Sequence, residues 1–195
     1  VSTLSTSTSP TAASLAASNQ QQQSSDLDEL ADRVFAPDAL LPIVTLPTGV
    51  LTAVMFSVTA FRAMCRGAEE LTVLKALKPF FALVSDTQPG EMIFVRTVKD
   101  RMLFVGKDPI VAVRFALEVL ERASAMVWPA PPSELCDYFG SKEVRGRTVS
   151  GGPDIVAVAH HSLMEPVKLI HSGEVAYSGE EMHLLRIMMN AAGSD

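Results

Sequence analysis

Residues 39–61 (ALLPIVTLPTGVLTAVMFSVTAF) run without a single charged side chain. Such a run either crosses a bilayer or is buried by the rest of the chain, because about 20 apolar residues span the hydrocarbon core. Pro42, Pro47 and Gly49 would interrupt a helix in its first half. Thr45, Thr48, Thr52, Ser57 and Thr59 dilute its hydrophobicity. From Thr48 onward, Val50, Leu51, Val54, Met55, Val58, Phe61 and Cys65 recur at helical spacing, and the small residues Ala53, Ala60 and Ala63 lie off that stripe. This segregation predicts a helix packed on a core, N-capped by Thr48 and stopped by Gly67. A membrane anchor through residues 39–61 is the lesser alternative.

The remaining composition supports a folded domain. Hydrophobic residues make up 48% of the 195, enough for a real core, and a single domain is the expectation at this length. The net charge of −6 argues against nucleic-acid binding by bulk electrostatics, which needs a basic face. Residues 1–25 are uncharged, rich in Ser, Thr and Ala, and end in a Gln run. They bury too little apolar surface to fold alone and lack the basic start and apolar stretch of a signal peptide. They read as a low-complexity arm ahead of a domain spanning 26–195. Cys65 and Cys136 are too few for a disulfide framework, so both are expected as buried free thiols in a reducing, intracellular and most simply cytoplasmic setting.

The predicted fold class is α+β: a helical N-terminal half, a β-hairpin plus long helix in the centre, and mixed strands with a terminal helix at the C-terminus. Residues 25–34 read as a short acidic helix and 68–78 as a second helix ended by Pro79. EMIFVRT and RMLFV, reversed at Lys99-Asp100, read as a hairpin. Asp108-Pro109 opens a long helix whose inner face is expected to hold Ile110, Val113, Leu117, Leu120 and Met126, with Val111 and Phe115. Ser133 opens a short helix with Cys136 facing inward. Residues 141–154 read as a polar, Gly-rich loop. Strands are expected at 155–159, 166–170 and 174–177, and Ser178-Gly-Glu-Glu181 as a capping box for a helix to about Ala191.

No motif specifies a chemistry. His160 and His161 point to opposite faces if they share a strand, His171 and His183 are remote, and no metal-ligand spacing exists. A Cys136–His160 or Cys136–His161 nucleophile pair, oriented by Asp137 or Asp154, is disfavoured by the acidic flanks Glu134 and Asp137. The best local binding candidate is the loop carrying Arg145, Arg147, Ser150, Gly151 and Gly152. Glycines allow amides to converge on an anion, and two arginines would complete a site for an anion or a protein partner. It is neither a Walker A loop nor a dinucleotide fingerprint. No cofactor and no metal are expected.

With no catalytic constellation, an uncharged arm and an apolar last helix, the sequence points to a non-enzymatic structural or assembly subunit. That reading includes a coat, shell or capsid protein that self-associates or joins other subunits. An adaptor or regulatory protein-binding module, an enzyme or anion-binding protein using the Arg145–Asp154 loop, and a membrane-anchored subunit are the alternatives.

Overall fold

The computed structural model describes residues 46–168 and 175–193. The arm at 1–25, the acidic helix at 25–34 and His171 lie outside the described residues. These described residues belong to one compact unit.

Within the uncharged run, residues 49–58 form a strand. β1 (Gly49–Val58) is the inner strand of a four-stranded antiparallel sheet ordered β2-β3-β1-β6, with β2 at Ile93–Val98, β3 at Arg101–Gly106 and β6 at Ile155–Met164. Every β1 residue from Leu51 to Val58 is buried. A strand covered on both faces shows no alternation, so it reads as a continuous apolar run. Its β-branched Val50, Thr52, Val54 and Val58 suit the pleat. The expected helix from Thr48 is therefore corrected to a strand. Helix begins only at α1 (Phe61–Gly67), after Ala60 turns the chain with φ at 61°. Val54, Val58 and Phe61 are covered by their own chain, and Val50 remains 57% exposed. Among the described residues no helix is long and apolar enough to cross a membrane.

α2 (Glu70–Thr87) runs straight through Pro79, which was expected to end it. Its inward residues Val73, Leu77, Phe80, Phe81 and Val84 are buried. Their burial, worth about 1.5–3 kcal/mol for each large side chain, outweighs the roughly 3 kcal/mol cost of an internal proline. α3 (Pro109–Ala125) follows β3, and Asp108 caps it by accepting from the Ile110 and Val111 amides at 2.8 and 3.4 Å. Asp108→Ala should cost about 1 kcal/mol in chemical denaturation, the usual value of a side-chain cap.

The inner face of α3 is the expected one only in part: Phe115 is buried as expected, and three of the other expected residues are not. Ala112, Phe115, Ala116, Val119 and Ala123 are buried, whereas Ile110, Val113 and Leu117 are 61%, 45% and 61% exposed. Both stripes have helical period. The small Ala112, Ala116 and Ala123 let the helix lie close to the sheet and decide between them. On this face Phe56 of β1, Phe104 of β3 and Phe115 of α3 pack edge to face, with centroids 5.1–6.0 Å apart.

The opposite sheet face is covered by α4 (Glu180–Ala191), whose Met182, Leu185 and Met189 join Leu51, Ala53, Met55, Leu103, Val105 and Val158 in one core. The capping box expected at Ser178 is absent: Gly179 occupies the N-cap and makes no side-chain bond. Between β6 and α4 lie β7 (Pro166–Lys168) and β8 (Val175–Tyr177), paired antiparallel. Tyr177 is buried and donates its hydroxyl to the Pro47 carbonyl at 2.6 Å. Burial pushes this phenol up to about 12. A group raised in the folded state contributes stability below its unfolded value of about 10 and loses it as pH rises. Stability should thus fall between about pH 10 and 12, and Tyr177→Phe should remove that loss, read by denaturant titration at stepped pH.

Candidate functional site: the hairpin end of the sheet

The two-residue turn Lys99-Asp100 joins β2 to β3 and brings one carboxylate against the end of β1. Lys99 takes the left-handed conformation, φ at 58°, that such turns require. Asp100 is 5% exposed. Its Oδ2 accepts from Ser57 Oγ at 2.5 Å and from the Val58 amide at 3.0 Å, pinning the turn to β1.

Three further groups gather here. Lys99 Nζ lies 3.8 Å from Glu70 at the start of α2. The Cys65 thiol is pushed up by burial and then by the charge of Glu70, with Lys99 opposing and Asp100 adding. This shift works against the thiolate form that a nucleophile needs. On the other flank, Thr59 donates its amide and hydroxyl to the Asp154 carbonyl at 2.8 and 2.9 Å. β3 and β6 lie on either side of β1, so the backbones carrying Asp100 and Asp154 stand two strand spacings apart, about 10 Å. β1 itself contributes no acid. Among the described residues no three of His, Cys, Asp and Glu gather as metal ligands.

The residues singled out in the sequence fall elsewhere and separate. The expected loop at 141–154 is a hairpin, β4 (Gly140–Val144) and β5 (Arg147–Gly152). Arg145 and Gly146 form its tip with φ at 52° and 72°. Ser150, Gly151 and Gly152 lie at its other end, where the Ser150 carbonyl accepts from the Trp128 amide at 3.2 Å and Gly152 lies under the Trp128 ring. The arginines and the glycines thus do not converge. Lys142 donates to the Ser124 and Met126 carbonyls at 2.8 and 2.5 Å and closes the end of α3.

His160 and His161 do point to opposite faces. His160 Nε2 meets Glu181 Oε2 of α4 at 2.7 Å, and His161 Nδ1 meets Thr52 Oγ1 at 2.8 Å. That hydrogen bond from His160 is the main reason the Glu181 carboxyl lies below its ordinary value. Cys136, expected inside, is exposed on a short 3-10 turn (Ser133–Tyr138) and contacts the Pro132 carbonyl at 3.5 Å, and Cys65 is half-buried. Neither histidine pairs with Cys136. A groove of about 300 Å³ between α2 and the prolines Pro129, Pro131 and Pro132 is largely apolar and offers only Lys75 as a charged group, so it carries no chemistry.

Sequence reasoning saw Asp100 only as part of a turn. Nothing local marks it as a site residue, because an acid in a two-residue turn is ordinary. Its meaning comes from the topology that sets the turn against β1.

No family model matches the sequence, and no curated protein does either. The fold itself has solved counterparts. The non-canonical dimeric guanylyl cyclase domain of the RhoGC fusion protein from the fungus Blastocladiella emersonii matches at a TM-score of 0.50 and 12% identity, over 73% of this chain and 74% of its own. The guanylate cyclase domain of RhGC from Catenaria anguillulae, in complex with GTP, matches at 0.50 and 14%, over 73% of each. An adenylate cyclase from Trypanosoma brucei in its monomeric state matches at 0.51 and 14%, over 73% and 68%. The chain thus has the α+β fold seen in nucleotide cyclase domains. This overturns the expectation of a non-enzymatic coat, capsid or assembly subunit, since the fold it resembles is that of enzymes.

Proposed function

We propose that this chain is a nucleotide-cyclase-type domain that binds a purine nucleoside triphosphate at the hairpin end of its sheet. The observation that carries this reading is Asp100, a carboxylate held by Ser57 and Val58 at the turn of the β2–β3 hairpin. In nucleoside triphosphate sites, Mg²⁺ is held by one or two carboxylates together with the substrate phosphates. Asp100 fits the first role, and Lys99 beside it offers a cation for phosphate oxygens. Fold likeness alone does not fix a function. The reading therefore rests on this residue set in that fold.

Binding is the part of the function that these residues supply. Phosphoryl-group chemistry proceeds mainly by positioning and by charge neutralisation from several groups at once. Among the described residues no group of three ligating side chains gathers, so turnover calls for a second domain of the same fold to complete the site. The Blastocladiella counterpart is described as dimeric. Here the exposed apolar Ile110, Val113 and Leu117 of α3 and Leu184, Ile187 and Met188 of α4 offer faces for such pairing. Calorimetric titration with GTP and with ATP in the presence of Mn²⁺ tests binding. Cyclic nucleotide formation per chain, measured at rising protein concentration, tests pairing and should rise with concentration. Absence of binding for both nucleotides would sink the reading.

A further inference from the structure

We propose that Pro129-Ala130-Pro131-Pro132 is a preformed polyproline II ligand for a protein module whose aromatic-lined groove reads Pro-x-x-Pro. The proposal goes beyond the nucleotide reading and does not depend on it. Three observations carry it. First, the sequence dictates the conformation. Each proline ring holds its own φ at about −65°. Trp128, Ala130 and Pro131 each precede a proline, which pushes them to extended ψ. Pro132 has φ −53° and ψ 151°, and residues 129–132 belong to no helix or strand. Second, both ends are fixed. The Trp128 amide donates to the Ser150 carbonyl at 3.2 Å, and its buried indole donates to the Ala123 carbonyl at 3.4 Å. The Pro132 carbonyl accepts from the amide of buried Leu135 at 2.9 Å. Third, the stretch between these anchors is open. Pro129 and Ala130 are exposed, and Pro131 and Pro132 are half-buried. The groove of about 300 Å³ lies between these four residues and Thr72, Ala76 and Pro79 of α2, so the helix does not close over them.

The same residues define what can bind. Prolines carry no N–H, so Ala130 holds the segment's sole backbone donor, and the segment cannot add to a sheet as a strand. It presents carbonyls and proline rings instead. Polyproline II has three residues per turn at about 3.1 Å each, which sets Pro129 and Pro132 on one face about 9 Å apart. A groove that reads this spacing supplies aromatic faces for the rings, and hydroxyl or indole donors for the carbonyls. The bound conformation exists before binding, so little ordering of the backbone opposes association.

The test titrates the full chain into isotope-labelled SH3, WW and EVH1 domains, one of each, and follows their chemical shifts. At least one domain should bind with a Kd in the micromolar range, with shifts confined to its aromatic groove. A synthetic proline-rich peptide that fills the same groove should displace the chain. Pro129→Ala combined with Pro132→Ala removes both rings and frees φ at each position. It should weaken binding at least about tenfold. Trp128 emission and melting temperature show whether that variant is folded. If it fails to fold, displacement of the wild-type chain by the peptide still decides. Absence of shifts in all three domains at several hundred micromolar chain overturns the inference. So do shifts that lie outside the groove, or binding that the peptide does not displace.

Discussion

Asp100→Leu should lower the stability of the chain by about 3–4 kcal/mol, with a fall of about 10 °C in melting temperature. The leucine removes the acceptor of two hydrogen bonds in a site only 5% exposed. Bonds to a charged group contribute about 1.5–3 kcal/mol each, and the Ser57 hydroxyl and Val58 amide would be left buried without a partner. Asp100→Asn, which can still accept, should cost about 1 kcal/mol, close to the cost of one ordinary hydrogen bond. Urea denaturation of the three proteins separates these cases. A leucine variant within 0.5 kcal/mol of wild type, taken as about the size of a surface substitution, would show that the carboxylate does not hold the turn. The same result would remove the rigid ligand on which the nucleotide reading depends. Site and scaffold therefore share one residue, and affinity must be measured beside stability for each variant.

What was legible in the sequence follows the range of the forces involved. The β2–β3 hairpin and α3 were read correctly because their signals lie within a few residues: a charged two-residue reversal, and Asp108-Pro109 at a helix start. The three C-terminal strands were found for the same reason, although β6 extends to Met164, well past its expected end. β1 was misread as a helix. In a strand buried on both faces every position is apolar, and a helical stripe can be drawn through any such run. Which apolar stripe of α3 faces inward was likewise undecided by period, since the approach distance to the sheet selects it. Pro79 was given too much weight because helix propensity yields to the burial of the Phe80 and Phe81 side chains.

The candidate site was less legible than the fold. Asp100 lies more than forty positions from Ser57 and Val58 in sequence and meets them only because β1 pairs with β3. The residues that did attract notice owe their presence to packing. Glu181, taken for a capping residue, is instead the partner of His160. Gly151-Gly152 looked like a cradle for an anion, and there the structure gives a different and testable reason.

Gly152→Ala should cost about 3–4 kcal/mol, and it should do so through Trp128. A methyl group at this position would lie 2.1 Å from Nε1 and 2.2 Å from Cε2 of the indole, well inside contact distance. The ring cannot easily yield. It is 3% exposed, stacks edge to face on Phe139 at 5.7 Å, and its amide is bonded to the Ser150 carbonyl. Overpacking costs about 1–3 kcal/mol, and a φ of 79° adds about 1–2 for a residue with a Cβ. Trp128 is the only tryptophan in the chain, so its fluorescence reports the displacement directly. The tip of the same hairpin supplies the contrast. Arg145→Gly should be neutral or stabilise by up to about 1 kcal/mol, because glycine accepts the φ of 52° that arginine adopts there at a cost. Arg147→Ala should change stability by less than about 0.5 kcal/mol. Opposite signs at the two ends of one hairpin would establish that its glycine and its arginine occupy separate environments. A Gly152→Ala variant with wild-type stability and unshifted Trp128 emission would instead return the glycine to the role of an open backbone cradle, and with it the case for an anion site in this segment.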